Sequence, residues 1–165
     1  SQILSTFKFT QQEPSLTNFI NFKLPPGWEI DKKRTNHEKI VLESPNHQPG
    51  ITSIPDNGAE IRVSRKIIPP NMDIEETLIS NLPLPLSTET SDIKSLKIDN
   101  QPAVNTFIWY EGVYEIYYVQ QDNYYWRITL TGDIEYQKTK EENRQKLLSP
   151  YGEDFNIFLN SIDFK

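Results

Sequence analysis

Cysteine is absent from this sequence, and histidine and glycine are scarce, with two and six residues among 165. Without cysteine the chain can form no disulfide, no thiolate zinc site, no iron–sulfur site and no cysteine nucleophile. The few glycines supply neither the Gly-x-Ser-x-Gly elbow of serine hydrolases nor a glycine-rich phosphate-binding loop. The composition therefore excludes several classes of enzyme.

Long apolar runs are also missing. No stretch approaches the roughly 18 consecutive apolar residues of a membrane-spanning helix, and no charged-then-apolar signal opens the chain. The only methionine is Met72, so we expect that a segment before Ser1 has been removed. A secretion signal or a lipid anchor upstream of Ser1 would agree with the absence of cysteine and favours an extracytoplasmic location.

The charge balance argues against one kind of partner. The 23 acidic residues outnumber the 17 basic residues, for a formal net charge of −6. Because this sign opposes binding to a phosphate backbone, we expect no nucleic-acid partner. The basic run Lys32-Lys33-Arg34 is interpreted as part of a solvated loop.

Hydrophobic periodicity predicts an α+β fold. The segment Ala59–Ile67 alternates apolar and polar side chains, which is typical of a strand with one buried face. Later strands follow one another through short turns such as Asp99-Asn100 and form a meander. We predict a central antiparallel sheet of about six or seven strands flanked by helices, in one domain (18–165) after a flexible tail (1–17). The predicted strands occupy residues 19–24, a piece from 28 onward, 39–43, 59–67, 93–98, 102–110, 113–120 and 124–131.

Two helices are predicted. Asp73 precedes Glu76 by three residues, as in a capping box, and the sequence predicts a helix over 73–82. The residues assigned to its apolar face are Ile74, Leu78, Ile79 and Leu82. A second helix is predicted over 151–162, with its apolar face on the sheet, formed by Tyr151, Phe155, Phe158, Leu159 and Ile162. The polar segment 133–146 is interpreted as a weak, exposed helix or mobile loop.

Three phrases of the sequence carry a resemblance to a known family. They are Phe22-Lys23-Leu24-Pro25-Pro26-Gly27-Trp28-Glu29, the hairpin Lys97-Ile98-Asp99-Asn100-Gln101-Pro102-Ala103, and Tyr151-Gly152-Glu153-Asp154-Phe155 with the ending Ile162-Asp163-Phe164. From Phe19 to Lys165 the chain resembles PsbP-like domains, although many relatives carry Asp-Gly where this chain has Asp99-Asn100. The resemblance implies the PsbP/Mog1-like sandwich of a sheet between helices. It also implies a secreted or lipid-anchored bacterial protein, and it brings no catalytic residue with it.

Aromatic residues crowd residues 109–127. Tyrosine, tryptophan and arginine are enriched at binding hot spots because they offer rigid area with a polar tip, although aromatic residues also favour strands for packing reasons. We predict that a protein partner or a membrane-associated complex docks on the hairpins, and not on residues 133–146. The candidate residues are Tyr110, Tyr114, Tyr124 and Arg127.

The other constellations are weaker. His37 and His47 are interpreted as solvated loop residues, and a cation site of His37 with Glu38 and Asp31 is the alternative. The carboxylate pair Glu111 and Glu115 flanks a turn and is interpreted as structural. We therefore predict a monomeric, non-enzymatic binding or assembly-accessory domain with no catalytic residue, cofactor or metal. The alternative is a small enzyme, or a module that binds carbohydrate or another small molecule through surface aromatics and carboxylates.

Overall fold

The computed structural model of the protein describes residues 15–50, 54–82, 89–90, 92–109, 113–133, 137 and 151–165. Its helices are a 3-10 turn (Leu16–Asn18), α1 (Ile74–Ser80) and α2 (Gly152–Asn160). Its strands are β1 (Ile20–Asn21), β2 (Glu29–Ile30), β3 (Lys39–Glu43), β4 (Ala59–Ile67), β5 (Glu89–Thr90), β6 (Lys94–Ile98), β7 (Gln101–Trp109), β8 (Val113–Gln121), β9 (Tyr124–Gly132) and β10 (Asp163–Phe164).

The main sheet has the strand order β2-β3-β4-β9-β8-β7, and β5 and β6 share the outer edge of β7. Every pairing in it is antiparallel. Because β5 and β6 occupy one position, the eight strands make a sheet seven positions wide. The predicted antiparallel α+β fold is confirmed, and the meander from β6 to β9 lies where it was predicted.

Both faces of the sheet are covered. The α2 face holds the larger core, in which Phe155 and Phe158 of the helix pack on Ile61, Ile128 and other strand residues. The opposite face is covered over β7 and β8 by α1, whose Ile74 and Leu78 pack on Val104, Ile108, Ile116, Tyr118 and Tyr125. The alternation of side chains along each strand supplies both faces.

The positions of the two predicted helices are confirmed, and so is the capping box at the start of α1. Asp73 accepts a hydrogen bond from the backbone N–H of Glu76, and the Glu76 carboxylate accepts one from the N–H of Asp73, which completes the capping box. One residue was assigned wrongly: Ile79 is 51% exposed. The short helix buries Ile74, Thr77 and Leu78, so Ile79 lies beyond the edge of the contact.

The boundary of the predicted tail falls inside the first described element. Leu16 is 5% exposed and belongs to the core of the α2 face, so ordered packing includes residues on the tail side of that boundary. The division into a tail and a domain remains a prediction, because residues 1–14 lie outside the described residues. Of the predicted segment 133–146, only Asp133 and Gln137 are described, and both are buried.

Candidate functional site

The four residues of the predicted docking surface do not form one surface. Tyr124 lies on the α2 face, because it is two residues from Trp126 of that core. Its pairing with Gln121 and Ile67 places it beside the β8–β9 turn. Tyr114 and Arg127 lie on the α1 face, as their registers with Ile108 and Ser64 show. Tyr110 lies outside the described residues. Tyr114 and Tyr124 therefore lie on opposite faces of the sheet and at opposite ends of β8, and their part in binding remains a prediction.

Tyr124 is occupied by an intramolecular contact. The guanidinium of Arg65 lies 3.8 Å from the centroid of the Tyr124 ring and 4.5 Å from that of Phe19. Cation–π contacts of this kind stabilise partly desolvated arginines. One face of the Tyr124 ring is thus covered by Arg65, which leaves less of the ring for stacking on a sugar.

Arg127 lies beside a pair of stacked tyrosines on the α1 face. The rings of Tyr118 and Tyr125 are 4.7 Å apart, and both side chains are buried. Burial raises the pKa of Tyr118 to about 12 against the opposing field of Arg127, and burial also raises the pKa of Tyr125. These two tyrosines belong to the core, so their role is to pack on the sheet and not to form a binding surface.

A surface of mixed polarity, with two exposed apolar side chains, adjoins the β8–β9 turn. Ile67 is 67% exposed and Met72 is 40% exposed, and together they line a cavity of about 410 Å³ whose other walls are Ile68, Pro69, Pro70, Asn71, Gln120, Asp122 and Asn123. A hydrogen bond of 2.9 Å from the Ile68 N–H to the Asn123 carbonyl fixes the two walls together. We call this the Ile67 surface. Neighbouring exposed apolar side chains rimmed by polar residues are a common feature of interaction sites.

A charged cluster lies on the same face of the sheet as α1 but over β3 and β4, near the β2 edge of the sheet, which α1 does not cover. The guanidinium of Arg34 bonds to the carboxylates of Asp31, Glu43 and Glu60. Glu60 also bonds to Arg62. Glu43 and Glu60 are direct cross-strand partners, so two like charges lie side by side and need the cations between them.

The electrostatics of this cluster are set by Arg34. Partial burial opposes ionisation of Asp31, but hydrogen bonds from the Arg34 side chain and from the Lys33 and Arg34 N–H groups outweigh it and lower its pKa. Burial likewise disfavours the charged form of Arg34, and the three carboxylates more than compensate, so the pKa of Arg34 is raised. The interpretation of Lys32-Lys33-Arg34 as a solvated run is therefore wrong for Arg34.

His47 joins the same cluster, so its interpretation as a solvated loop residue was also wrong. Its side chain is only 3% exposed, and its Nδ1 lies 2.7 Å from Oε1 of Glu43. A local signal was present in the sequence, because Glu43 and His47 are four residues apart around a turn. Glu60 could not be found that way, since only the β3–β4 register brings it to Glu43. His37, the alternative cation ligand, is half exposed.

Two other buried carboxylates have structural partners. The hydroxyl of Tyr117 donates to Glu115 at 2.5 Å. Asp133 accepts hydrogen bonds from the Gly58 N–H at 2.9 Å and from the Tyr151 hydroxyl at 2.6 Å, and so ties α2 to the start of β4. Glu111, the predicted partner of Glu115, lies outside the described residues.

The layout that the resemblance to PsbP-like domains implies, an antiparallel sheet between helices, is the layout described above. No protein-family model matches the sequence, and no curated protein matches it. None of the helices in the described part of the chain has the length and hydropathy that crossing a membrane requires.

The solved structures that are similar to this chain include the following three. LpqN, a protein involved in cell envelope biogenesis of Mycobacterium tuberculosis, shares 12% identity at a TM-score of 0.54 over 88% of this chain and 83% of LpqN. A protein from Bacteroides thetaiotaomicron VPI-5482 shares 9% identity at a TM-score of 0.52 over 89% of this chain, which spans 45% of that protein. Cyanobacterial PsbP (CyanoP) from Synechocystis sp. PCC 6803 shares 10% identity at a TM-score of 0.47 over 90% of this chain and 88% of CyanoP. Likeness at these identities concerns the fold alone.

Proposed function

We propose that this protein is a non-enzymatic, extracytoplasmic accessory domain that binds a protein component of a cell-envelope complex. The observation that carries the proposal is the separation of the cavities from the buried ionisable groups. Within the described residues, the cavity of about 410 Å³ at the Ile67 surface is lined by aliphatic, amide and turn residues. The buried carboxylate and imidazole of Glu60 and His47 face a cavity of only about 80 Å³.

This separation distinguishes binding from catalysis. A site for an organic substrate is usually a cleft of about 300 to 1,000 Å³ with a few convergent polar groups, some with a perturbed pKa. The cavity at the Ile67 surface has the volume without convergent buried ionisable groups, and the charged cluster has the groups without the volume. A second cavity, of about 330 Å³, lies between β6 and α2, where Leu96, Asp99 and Asn156 line it together with the buried Tyr117 of β8.

The Ile67 surface is the part of the molecule that we assign to the partner. It combines the most exposed aliphatic side chain described, that of Ile67, with a rigid frame of two prolines and a hydrogen-bonded turn. A rigid frame loses little conformational entropy on binding, whereas ordering a flexible segment costs about 1 to 2 kcal/mol per residue. Tyr124 is the cross-strand partner of Ile67, so the predicted docking residue Tyr124 borders this surface.

The location outside the cytoplasm is supported by two observations. The chain has no cysteine, and its fold is similar to that of LpqN, a protein involved in cell envelope biogenesis. Accessibility of the protein to a membrane-impermeant label in intact cells, compared with lysed cells, measures the location directly. Labelling only after lysis would contradict it.

Site-directed photo-crosslinking tests the binding surface. A photoreactive phenylalanine analogue replaces Ile67 in one variant and Ile79 in the control, because Ile79 is also an exposed isoleucine but lies on α1, away from the turn. Irradiation of cells of the source organism is expected to give a discrete cross-linked species from position 67 only, and Ile67→Asp in a tagged protein is expected to reduce recovery of the same partner. Equal cross-linking from both positions, or from neither, would refute the assignment.

A further inference from the structure

The charged cluster contains a nitrogen atom whose hydrogen-bonding capacity is unmet. Nε2 of His47 is buried and has no hydrogen-bond partner among the described residues. Buried polar atoms without a partner are rare in proteins, because an unmade hydrogen bond costs about 1 to 3 kcal/mol. A group that is not part of the protein is the simplest way to meet this need.

The tautomer of His47 follows from its other nitrogen. Nδ1 lies 2.7 Å from Oε1 of Glu43, and an ionised carboxylate can only accept, so Nδ1 carries the hydrogen and donates it. In the neutral ring Nε2 then presents a lone pair. The atom that it faces is Oε2 of Glu60, another acceptor, at 3.7 Å. Two acceptors at this distance cannot bond to each other.

A metal ion between the two atoms would satisfy Nε2 of His47 and would share Oε2 of Glu60 with Arg34, whose Nη1 donates to that oxygen at 2.5 Å. Zinc binds histidine nitrogen and carboxylate oxygen at about 2.0 to 2.2 Å, so two tetrahedral ligands lie about 3.4 Å apart. The observed 3.7 Å needs a shift of a few tenths of an ångström. The oxygen and nitrogen ligand atoms of Glu43, His47 and Glu60 all lie within 4.8 Å of one another.

Space for the remaining ligands of such an ion is present. The cavity beside the two atoms has a volume of about 80 Å³, and the described residues that line it are His47, Glu60, Arg34, Arg62, Pro49, Gly50, Ile54 and Pro55. A water molecule occupies about 30 Å³ of liquid volume. The cavity therefore has room for an ion and one or two water ligands, but no room for an organic substrate.

The neighbouring groups have the arrangement of an outer shell. A histidine that binds a metal usually donates its other ring N–H to a carboxylate, as His47 does to Glu43, and ligating carboxylates are themselves hydrogen-bonded, as Glu60 is to Arg34 and Arg62. The described cluster has three carboxylates and two guanidinium groups, so it carries one net negative charge before an ion enters. The cluster as a whole does not repel a cation.

We propose that Nε2 of His47 and Oε2 of Glu60 form a binding site for a divalent transition-metal ion, Zn²⁺ being the best match, with Glu43 orienting the imidazole. Imidazole together with carboxylate suits zinc better than calcium or magnesium, which prefer oxygen ligands alone. This assignment replaces the expectation of no metal drawn from the sequence.

Calorimetric titration of the purified protein with Zn²⁺ tests the site, and the matched controls are clear because the chain has no cysteine and only two histidines. The wild-type protein is expected to bind one Zn²⁺ saturably. Loss of an outer-shell partner already costs about 10- to 100-fold in metal affinity, so His47→Gln and Glu60→Gln, which each remove a direct ligand, are expected to weaken binding by about 100-fold or more. His37→Gln, at the half-exposed histidine, is expected to leave the affinity unchanged.

A second measurement keeps the test valid if His47→Gln does not fold. In the wild-type protein labelled with ¹⁵N, stoichiometric Zn²⁺ should shift the Nε2 resonance of His47 and leave the ring of His37 unperturbed. The proposal is wrong if the wild-type protein shows no saturable binding, if His37 is the ring that responds, or if a folded His47→Gln variant binds as tightly as the wild type. A water molecule that donates to both acceptors would then be the occupant of the cavity.

Discussion

Replacing Arg34 by methionine should be among the more destabilising single changes on the α1 face. The guanidinium bonds to Asp31, Glu43 and Glu60, and the side chain of Glu60 is only 2% exposed. Methionine keeps only the aliphatic part of the side chain and leaves Glu43 and Glu60 as neighbouring negative charges without the guanidinium between them. The larger part of the effect should therefore arise from the unpaired carboxylates, because the side chain that is removed is partly exposed.

The magnitude follows from burial. Removing one partner of a buried ion pair typically costs about 3 to 5 kcal/mol. The side chain of Arg34 is 34% exposed, so water can replace part of what it supplies, and we expect about 2 to 3 kcal/mol. Arg62→Met is the control, since Arg62 is 39% exposed and pairs with Glu60, and we expect a loss of about 1 kcal/mol or less.

Urea denaturation at two pH values measures this difference and its origin. Because the pKa of Asp31 is lowered in the folded protein, its contribution is present above the ordinary pKa of an aspartate and is lost as the pH falls through the lowered value. The gap in free energy of unfolding between wild type and Arg34→Met should be full at pH 7 and shrink below about pH 4. An Arg34→Met variant no less stable than Arg62→Met at pH 7, or a gap that persists undiminished at about pH 2.5, would refute the reasoning.

Two further predictions concern other parts of the fold. Burial raises the pKa of Tyr118 from 10.0 to about 12, so its contribution to the free energy of unfolding is full below pH 10 and is lost as the pH rises to 12. In urea titrations over that range, the free energy of unfolding of the wild type should fall by about 2 to 3 kcal/mol more than that of Tyr118→Phe. Parallel pH dependences of the two proteins would contradict this. Asp73→Ala removes the capping box of α1 and should lower the free energy of unfolding by about 1 kcal/mol. Glu75→Ala leaves the capping box intact and should lower it by only about 0.3 kcal/mol. Equal losses in the two variants would show that the charge near the helix N-terminus, and not the capping box, is responsible.

Local patterns were sufficient for most of the fold. The alternation of Ala59–Ile67 places Ala59, Ile61 and Val63 in the core of the α2 face. The four- and three-residue spacing of Tyr151, Phe155 and Phe158 reflects the contact of α2 with the sheet. These patterns can be read from the sequence because residues that face the core at a regular spacing must be apolar. Ile79 was misplaced because periodicity gives the direction of a side chain but not the width of the surface that receives it.

The charged cluster was beyond local patterns. Arg34, Glu43 and Glu60 come from three separate segments, and only the register of β3 on β4 brings them together. The polar sequence around His47 and Arg34 also led to a wrong prediction, because histidines and basic runs in polar segments are usually exposed to solvent. For the tyrosines, alternation predicted that some lie in the core and some at the surface, but the assignment of Tyr114 and Tyr124 to one surface required the parity of β8, which places them on opposite faces.

The small sheet of β1 and β10 determines how the domain would respond to force. Ile20 pairs with Phe164 and Asn21 with Asp163, so the chain enters β1 and leaves β10 at the same end of the ladder. Tension between the two ends of the domain would open these hydrogen bonds one after another, like a zipper, instead of shearing them together. This pair is then the first part to yield under load, and Leu16 and Ile20 would leave the core of the α2 face with it, while the wide central sheet is still intact.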